Sequence, residues 1–187
     1  MTAAILTAAG MLALGTVIYA VMLYNGLVQL KVNLDKAWGN IDVLLKQRHD
    51  EVPNLVACVQ GTMKFEQTTL EGVTRARAEA LAAQGVGNKA KADQALGSAV
   101  QNLFAVAEKY PELRAGGNFL ALQKRLTGLE NEIADRREFY NDSVTALNTR
   151  IQQFPDLVLA GWMKLSPREF FKVDAFETAV PVMSLTS

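Results

Sequence analysis

The sequence predicts an all-α protein. An N-terminal transmembrane helix continues into an elongated antiparallel up-down helical bundle of about four long helices, with a short helical C-terminal tail. Three observations predict it. Ala3 to Leu23 reads AAILTAAGMLALGTVIYAVML, and the first charged side chain is Lys31. Beyond Lys31, apolar residues recur at spacings of three and four over long stretches, the period of one helix face. Ala, Leu, Gln, Glu, Lys and Arg are plentiful, and the five prolines fall at apparent element ends.

The first element is the span from Ala3 to Leu23. About 21 residues at helical rise cover roughly 30 Å, the thickness of a bilayer's hydrocarbon core. A cleaved signal has a positive n-region and an apolar stretch of only about 7–15 residues. This stretch is longer and lacks a basic flank, so a retained anchor is expected. Tyr24 and Lys31 follow it, where interfacial aromatic and basic residues belong. Lys31, Lys36, Lys46 and Arg48 lie on the C-terminal side and no Lys or Arg precedes the span. That asymmetry places the N-terminus outside and the rest in the cytoplasm.

The span runs into a soluble helix without a proline before residue 53. Leu27, Leu30, Leu34, Trp38, Ile41 and Leu45 mark its apolar face. Asp50-Glu51-Val52-Pro53 reads as a break, with Pro53 in the first turn of a second helix reaching about Leu81. Glycines 85 and 87 make a loop, and a third helix covers about Lys89 to Tyr110, with Ala92, Leu96, Val100 and Leu103 inward. Tyr110-Pro111 stops it, and Asn118 is placed to cap the next helix.

The fourth helix carries Phe119, Leu122, Leu126, Leu129, Ile133, Arg136, Tyr140, Val144, Leu147, Ile151 and Phe154. This is nearly a heptad seam, as in coiled coils, with one slip at Tyr140/Val144. Pro155 ends it. The tail has a short apolar segment with Trp162 and Met163. A capping box at Ser166-Pro167-Arg168-Glu169 then predicts a helix start before Phe170, Phe171 and Phe176. Such a tail either folds back on its own bundle or docks on a neighbouring subunit or on lipid. The chain thus divides into an anchor and juxtamembrane start at 1–30, a bundle at 31–155 and an apolar tail at 156–187.

Composition narrows the function classes. Formal net charge is +0, which argues against a nucleic-acid binder. With one cysteine, Cys58, no internal disulfide forms, and with one histidine, His49, a zinc site lacks its usual ligands. No cofactor is expected. His49 beside Asp50 has no Ser or Cys one turn away to activate, so a solvated or capping role is expected.

A series of residues is recognisable. It runs from Tyr24-Asn25 through Ala37-Trp38, Ile41-Asp42-Val43, Arg48, Asp50 and Val52-Pro53-Asn54-Leu55 to Ala76-Arg77. It continues with Ala107-Glu108, Tyr110-Pro111, Leu129-Glu130, Arg136-Arg137, Tyr140-Asn141 and Phe154-Pro155. In order and spacing this resembles the LemA family over about residues 24–155. The resemblance implies a bacterial protein with one N-terminal membrane helix and a cytoplasmic helical bundle at the inner membrane. It implies no catalytic residue. One departure is Phe65, where the family often has His before the Glu matching Glu66.

Arg136 falls on the apolar seam, where a charge must be paired. A polar layer of Asp42, Arg48, Glu130, Arg136 and Asn141 is therefore expected, serving to fix helix register. The tail residues Trp162, Met163, Phe170 and Phe171 are the expected partner-contact surface. The functional expectation is a non-enzymatic membrane protein. It touches the lipid bilayer through its first helix, forms homo-oligomers and scaffolds unknown protein partners. The alternative is an accessory protein or enzyme using a polar pocket at Asp42, Glu130 and Arg136.

Overall fold

The computed structural model describes residues 1–63 and 66–172. Phe65 and Phe176 lie outside the described residues. Within them every regular element is helical: α1 (Thr2–Gln60), α2 (Gln67–Ala82), α3 (Val86–Ala107), α4 (Pro111–Ala115), α5 (Gly117–Arg150) and α6 (Asp156–Trp162).

α1 is one helix of 59 residues with Pro53 inside it. The break expected at Asp50–Pro53 is absent. A proline here removes the N–H that would bond to the carbonyl of residue 49. Arg77 of α2 replaces it: its Nε donates to the His49 carbonyl oxygen at 2.7 Å. The freed acceptor is thus satisfied from a neighbouring helix, and the column continues. The chain instead leaves α1 at Gly61, and α2 begins at Gln67.

The first third of α1 is apolar with no residue buried, long and apolar enough to cross a membrane. From Leu23 onward the same helix becomes the centre of the bundle. Leu27, Leu34, Ile41, Leu45, Val52, Leu55 and Val59 are buried at steps of three, four and seven. Each such side chain contributes roughly 1.5–3 kcal/mol by leaving water.

α5 runs back along α1. Tyr140 packs at a tilt against Trp38 with centroids 5.5 Å apart, Glu130 meets Arg48 and Arg125 meets Glu51. As numbers rise on one helix they fall on the other, so the pair is antiparallel. α3 runs the same way as α1, with Lys89 beside Asp42 and Asp93 beside Arg48. The three-residue link before α3 turns at Gly85, whose φ of +80° suits a residue without Cβ.

The seam of α5 differs from expectation at one step. Ile133, Tyr140, Val144 and Leu147 are buried, but Arg136 is exposed and the half-buried position is Arg137. At 3.6 residues per turn, a step of four from Ile133 to Arg137 keeps the stripe facing α1, and a step of three turns it away.

The tail also departs from expectation. The capping box at Ser166–Glu169 starts no helix. Side chains of α5 take the backbone groups a helix would have used. Asn148 accepts from the Arg168 N–H at 2.8 Å and donates to its carbonyl at 2.9 Å. Asn141 does the same for Phe171 at 2.9 and 3.2 Å, and the Tyr140 hydroxyl donates to the Glu169 carbonyl at 2.9 Å. Phe171 is thereby buried against Trp38, with centroids 6.0 Å apart. This part of the tail folds back on its own bundle.

The repair of Pro53 is testable by a double-mutant cycle. Arg77→Ala is expected to cost about 1–3 kcal/mol, the penalty for a buried acceptor left without a donor. In a Pro53→Ala background the backbone N–H returns, and the same substitution should cost much less. Urea unfolding of the four chains reads the coupling; equal costs in both backgrounds would refute it.

Candidate functional site

The polar layer forms on α1, α3 and α5. Arg48 lies on the inward row of α1, between Leu45 and Val52. Its side chain is only 4% exposed. Nη1 donates to Asp93 Oδ1 at 3.0 Å and Nη2 to Glu130 Oε1 at 2.5 Å. Gly97 of α3 makes room for it, since a Cβ there would sit 2.7 Å from Arg48 Nη2.

Of the residues expected in this layer, the fold brings together Arg48 and Glu130. Asp93 was not expected. Its signal was available in the row Ala90, Asp93, Gly97, Val100, with a glycine inside a helix that no turn requires. Asp42 sits at the surface, ion-paired with Lys89, whose ammonium also stands 5.5 Å from the Trp38 ring. Arg136 points to solvent, and Asn141 serves the tail. Asp42, Glu130 and Arg136 therefore do not share a pocket: the depression that Asp42 lines is bordered by neither of the other two.

Burial pushes the Asp93 carboxyl above the usual carboxylate range, although the Arg48 guanidinium opposes this by charge and hydrogen bond. Arg137, half-buried nearby, also favours the ionised form. One guanidinium thus joins three helices at one level.

His49 is buried, not solvated or capping as expected, and its Nε2 lacks a hydrogen-bond partner. The unbroken α1 turns it toward α2 and α3. Burial lowers its pKa below 6.5, the charges of Arg48, Arg77 and Lys89 add to this, and Asp50 opposes them. His49 borders a depression of about 270 Å³ with Lys46, Asp50, Leu81, Lys89 and Asp93. Its described lining has no Ser, Thr or Cys to act as a nucleophile. Among the described residues no group of three His, Cys, Asp or Glu could hold a metal.

The second candidate surface is apolar. Tyr24 and Lys31 are exposed just past the open apolar stretch, which ends at Met22 because the last residue of the expected span, Leu23, is buried. The tail residues separate: Phe171 is buried, Phe170 and Met163 are half-buried against the core, and Trp162 is 78% exposed.

A family model described as the LemA family matches residues 37–184. The chain is 25% identical over 177 residues to the magnetosome proteins MamQ 1 and MamQ 2 of Paramagnetospirillum magneticum, covering 81% of this chain and 65% of each of theirs. It is 23% identical over 160 residues to the magnetosome protein MamQ of Magnetospirillum gryphiswaldense, covering 72% of this chain and 59% of that one. The chain therefore spans less than two thirds of the length of these relatives.

Two outcomes follow from the layer. Arg48→Met should destabilise the bundle by about 3–5 kcal/mol, because it strands the Asp93 carboxylate, and adding Asp93→Leu should recover much of the loss. Chemical denaturation of both variants checks this. His49, with its folded pKa depressed, contributes stability that is full above about 6.5 and is lost as pH falls through the window below it. Asp93 acts oppositely, its contribution being full below about 3.8 and lost as pH rises. The urea midpoint should fall between about pH 7.5 and pH 5.5, and His49→Gln should flatten that slope.

Proposed function

The chain belongs to the LemA family, and from that premise we propose that it is a single-pass, non-enzymatic membrane protein that presents a rigid helical bundle for self-association and for scaffolding partners. The observation that carries this reading is the continuity of α1. Its open apolar part, up to Met22, and its buried part, from Leu23 to Val59, belong to one helix. A bundle built on the continuation of its own anchor has no flexible linker, so its direction relative to the bilayer follows from that of the span.

In this proposal the anchor crosses a bacterial inner membrane, with the N-terminus outside and an antiparallel up-down bundle in the cytoplasm. Lys31, Lys36 and Lys46 after the span, with no Lys or Arg before it, support that orientation. Self-association is supported by large apolar side chains left open on the bundle's flanks, Val43, Leu81, Leu120 and Phe139 among them. The MamQ relatives carry the description of magnetosome proteins. A membrane-organising role for this chain is consistent with that description.

Crosslinking of the full chain in native membranes, read by mass spectrometry, is expected to give contacts between copies through the flanks of α1 and α5. A strict monomer in mild detergent, with no crosslinks between copies, would overturn the self-association. Protease added to sealed vesicles of known sidedness should digest the bundle only from the cytoplasmic face. Digestion from the other face would reverse the orientation.

A further inference from the structure

We propose that α6 is a second membrane contact, a short amphipathic foot lying in the headgroup layer of the bilayer that α1 crosses. The inference rests on the membrane-spanning reading of α1 and adds a site to it.

The level of α6 is set by contacts on either side of it. Arg150, at the end of α5, stands beside Gly26: its Nη2 would lie 3.8 Å from a Cβ there. Gly26 is about 5 Å along the helix axis from Leu23, where burial begins. α5 descends toward the span at that point, being antiparallel to α1. Asp156 then opens α6 and is held to Arg150 Nε at 2.9 Å. The chain regains height only at Arg168, which faces Asp35 at 3.7 Å, and at Phe171 beside Trp38. α6 therefore sits at the base of the bundle, against α1, where the span emerges.

Its two faces differ. Asp156 and Ala160 are buried against the bundle. Outward are Phe154 at 83% exposure, Leu157 at 52%, Val158 at 65% and Trp162 at 78%. Val158 and Trp162, four apart within α6, form one ridge, and Phe154 is exposed just before the helix. α6 touches α1, and Arg150 just before it stands at Gly26, within about one turn of the open apolar surface of the span. A bilayer surrounding the span reaches this ridge without any movement of the bundle, and tryptophan at that depth keeps its indole N–H near water. Lys164, exposed just past α6, stands where a lipid phosphate would meet it.

Tryptophan emission from the full chain in phosphatidylcholine–phosphatidylglycerol vesicles tests this, with the phosphatidylcholine brominated near the headgroup. The chain has two tryptophans. Trp38 stands about 20 Å beyond the end of the span, out of the quencher's reach. Brominated lipid is expected to remove roughly half the emission of the native chain and almost none from Trp162→Phe. No bromine-dependent loss in the native chain, or equal loss in Trp162→Phe, overturns the proposal. A blue-shifted Trp162 that bromine does not quench assigns the ridge to a second copy of the chain and also overturns it. Alkaline extraction of the same vesicles reports on α1 separately. A chain that resists extraction yet shows no quenching keeps its anchor and loses the foot. A chain that is extracted loses the anchor, and the quenching still decides the foot.

Discussion

A proline inside a helix leaves the carbonyl four residues earlier without its donor. In this chain that carbonyl is His49's, three turns from the C-terminal end of the helix on which α2 and α5 pack. Arg77 supplies the missing donor from α2. The bond does two things together: it keeps α1 continuous through Pro53, and it ties α2 to α1 at a fixed level. α5 lines up antiparallel along the same column, and α3 lies parallel beside it. A kink at Pro53 would swing the last two turns of α1, with the buried Leu55 and Val59, away from the helices they pack against. The link between the span and the bundle lies earlier in the same helix, in the unbroken run from Leu23 to Val52.

The charged layer works differently. Arg48 with Asp93 and Glu130 adds little net stability, because desolvating three charges offsets much of their attraction. Its effect is on choice of register. A slip of any one helix by a turn would bury a carboxylate against leucines or leave the guanidinium facing apolar side chains. Gly97 belongs to the same device, since any side chain there would occupy the space of the guanidinium. Asn141 and Asn148, one heptad apart, then do for the tail what Arg48 does for the helices. Each reads one backbone N–H and one carbonyl of an extended segment, fixing its position residue by residue.

These devices explain how an otherwise simple pattern of apolar spacing yields one arrangement. They also account for the outer surface. Arg48, Asp93 and Glu130 pair with one another inside the bundle, while large apolar groups remain outside along the span, at α6 and on the flanks. The family match covers the bundle and most of the tail, residues 37–184.

Hydrophobic period and length were sufficient to read the all-helical class, the long apolar first helix and the long seam of α5. Those properties follow from side-chain sequence alone, because a helix face is defined by spacing along one chain. The breaks were less legible. Pro53 looked like a terminus because its local chemistry is that of a terminus, and only Arg77, 24 positions further along, cancels it. The capping box at Ser166 was likewise sound locally, and it lost to Asn148 and Asn141 across space. In the polar layer, Arg48 and Glu130 were legible as charges near apolar rows. Asp93 was missed, and Arg136 was placed inward, because a helix face shifts by a residue once the partner helix chooses which edge of the stripe to bury. What the sequence determined by itself was therefore everything carried by local periodicity. What only the tertiary structure decided were the partners of groups whose local pairing fails, since a hydrogen bond or a buried charge is satisfied by whatever lies near it in space.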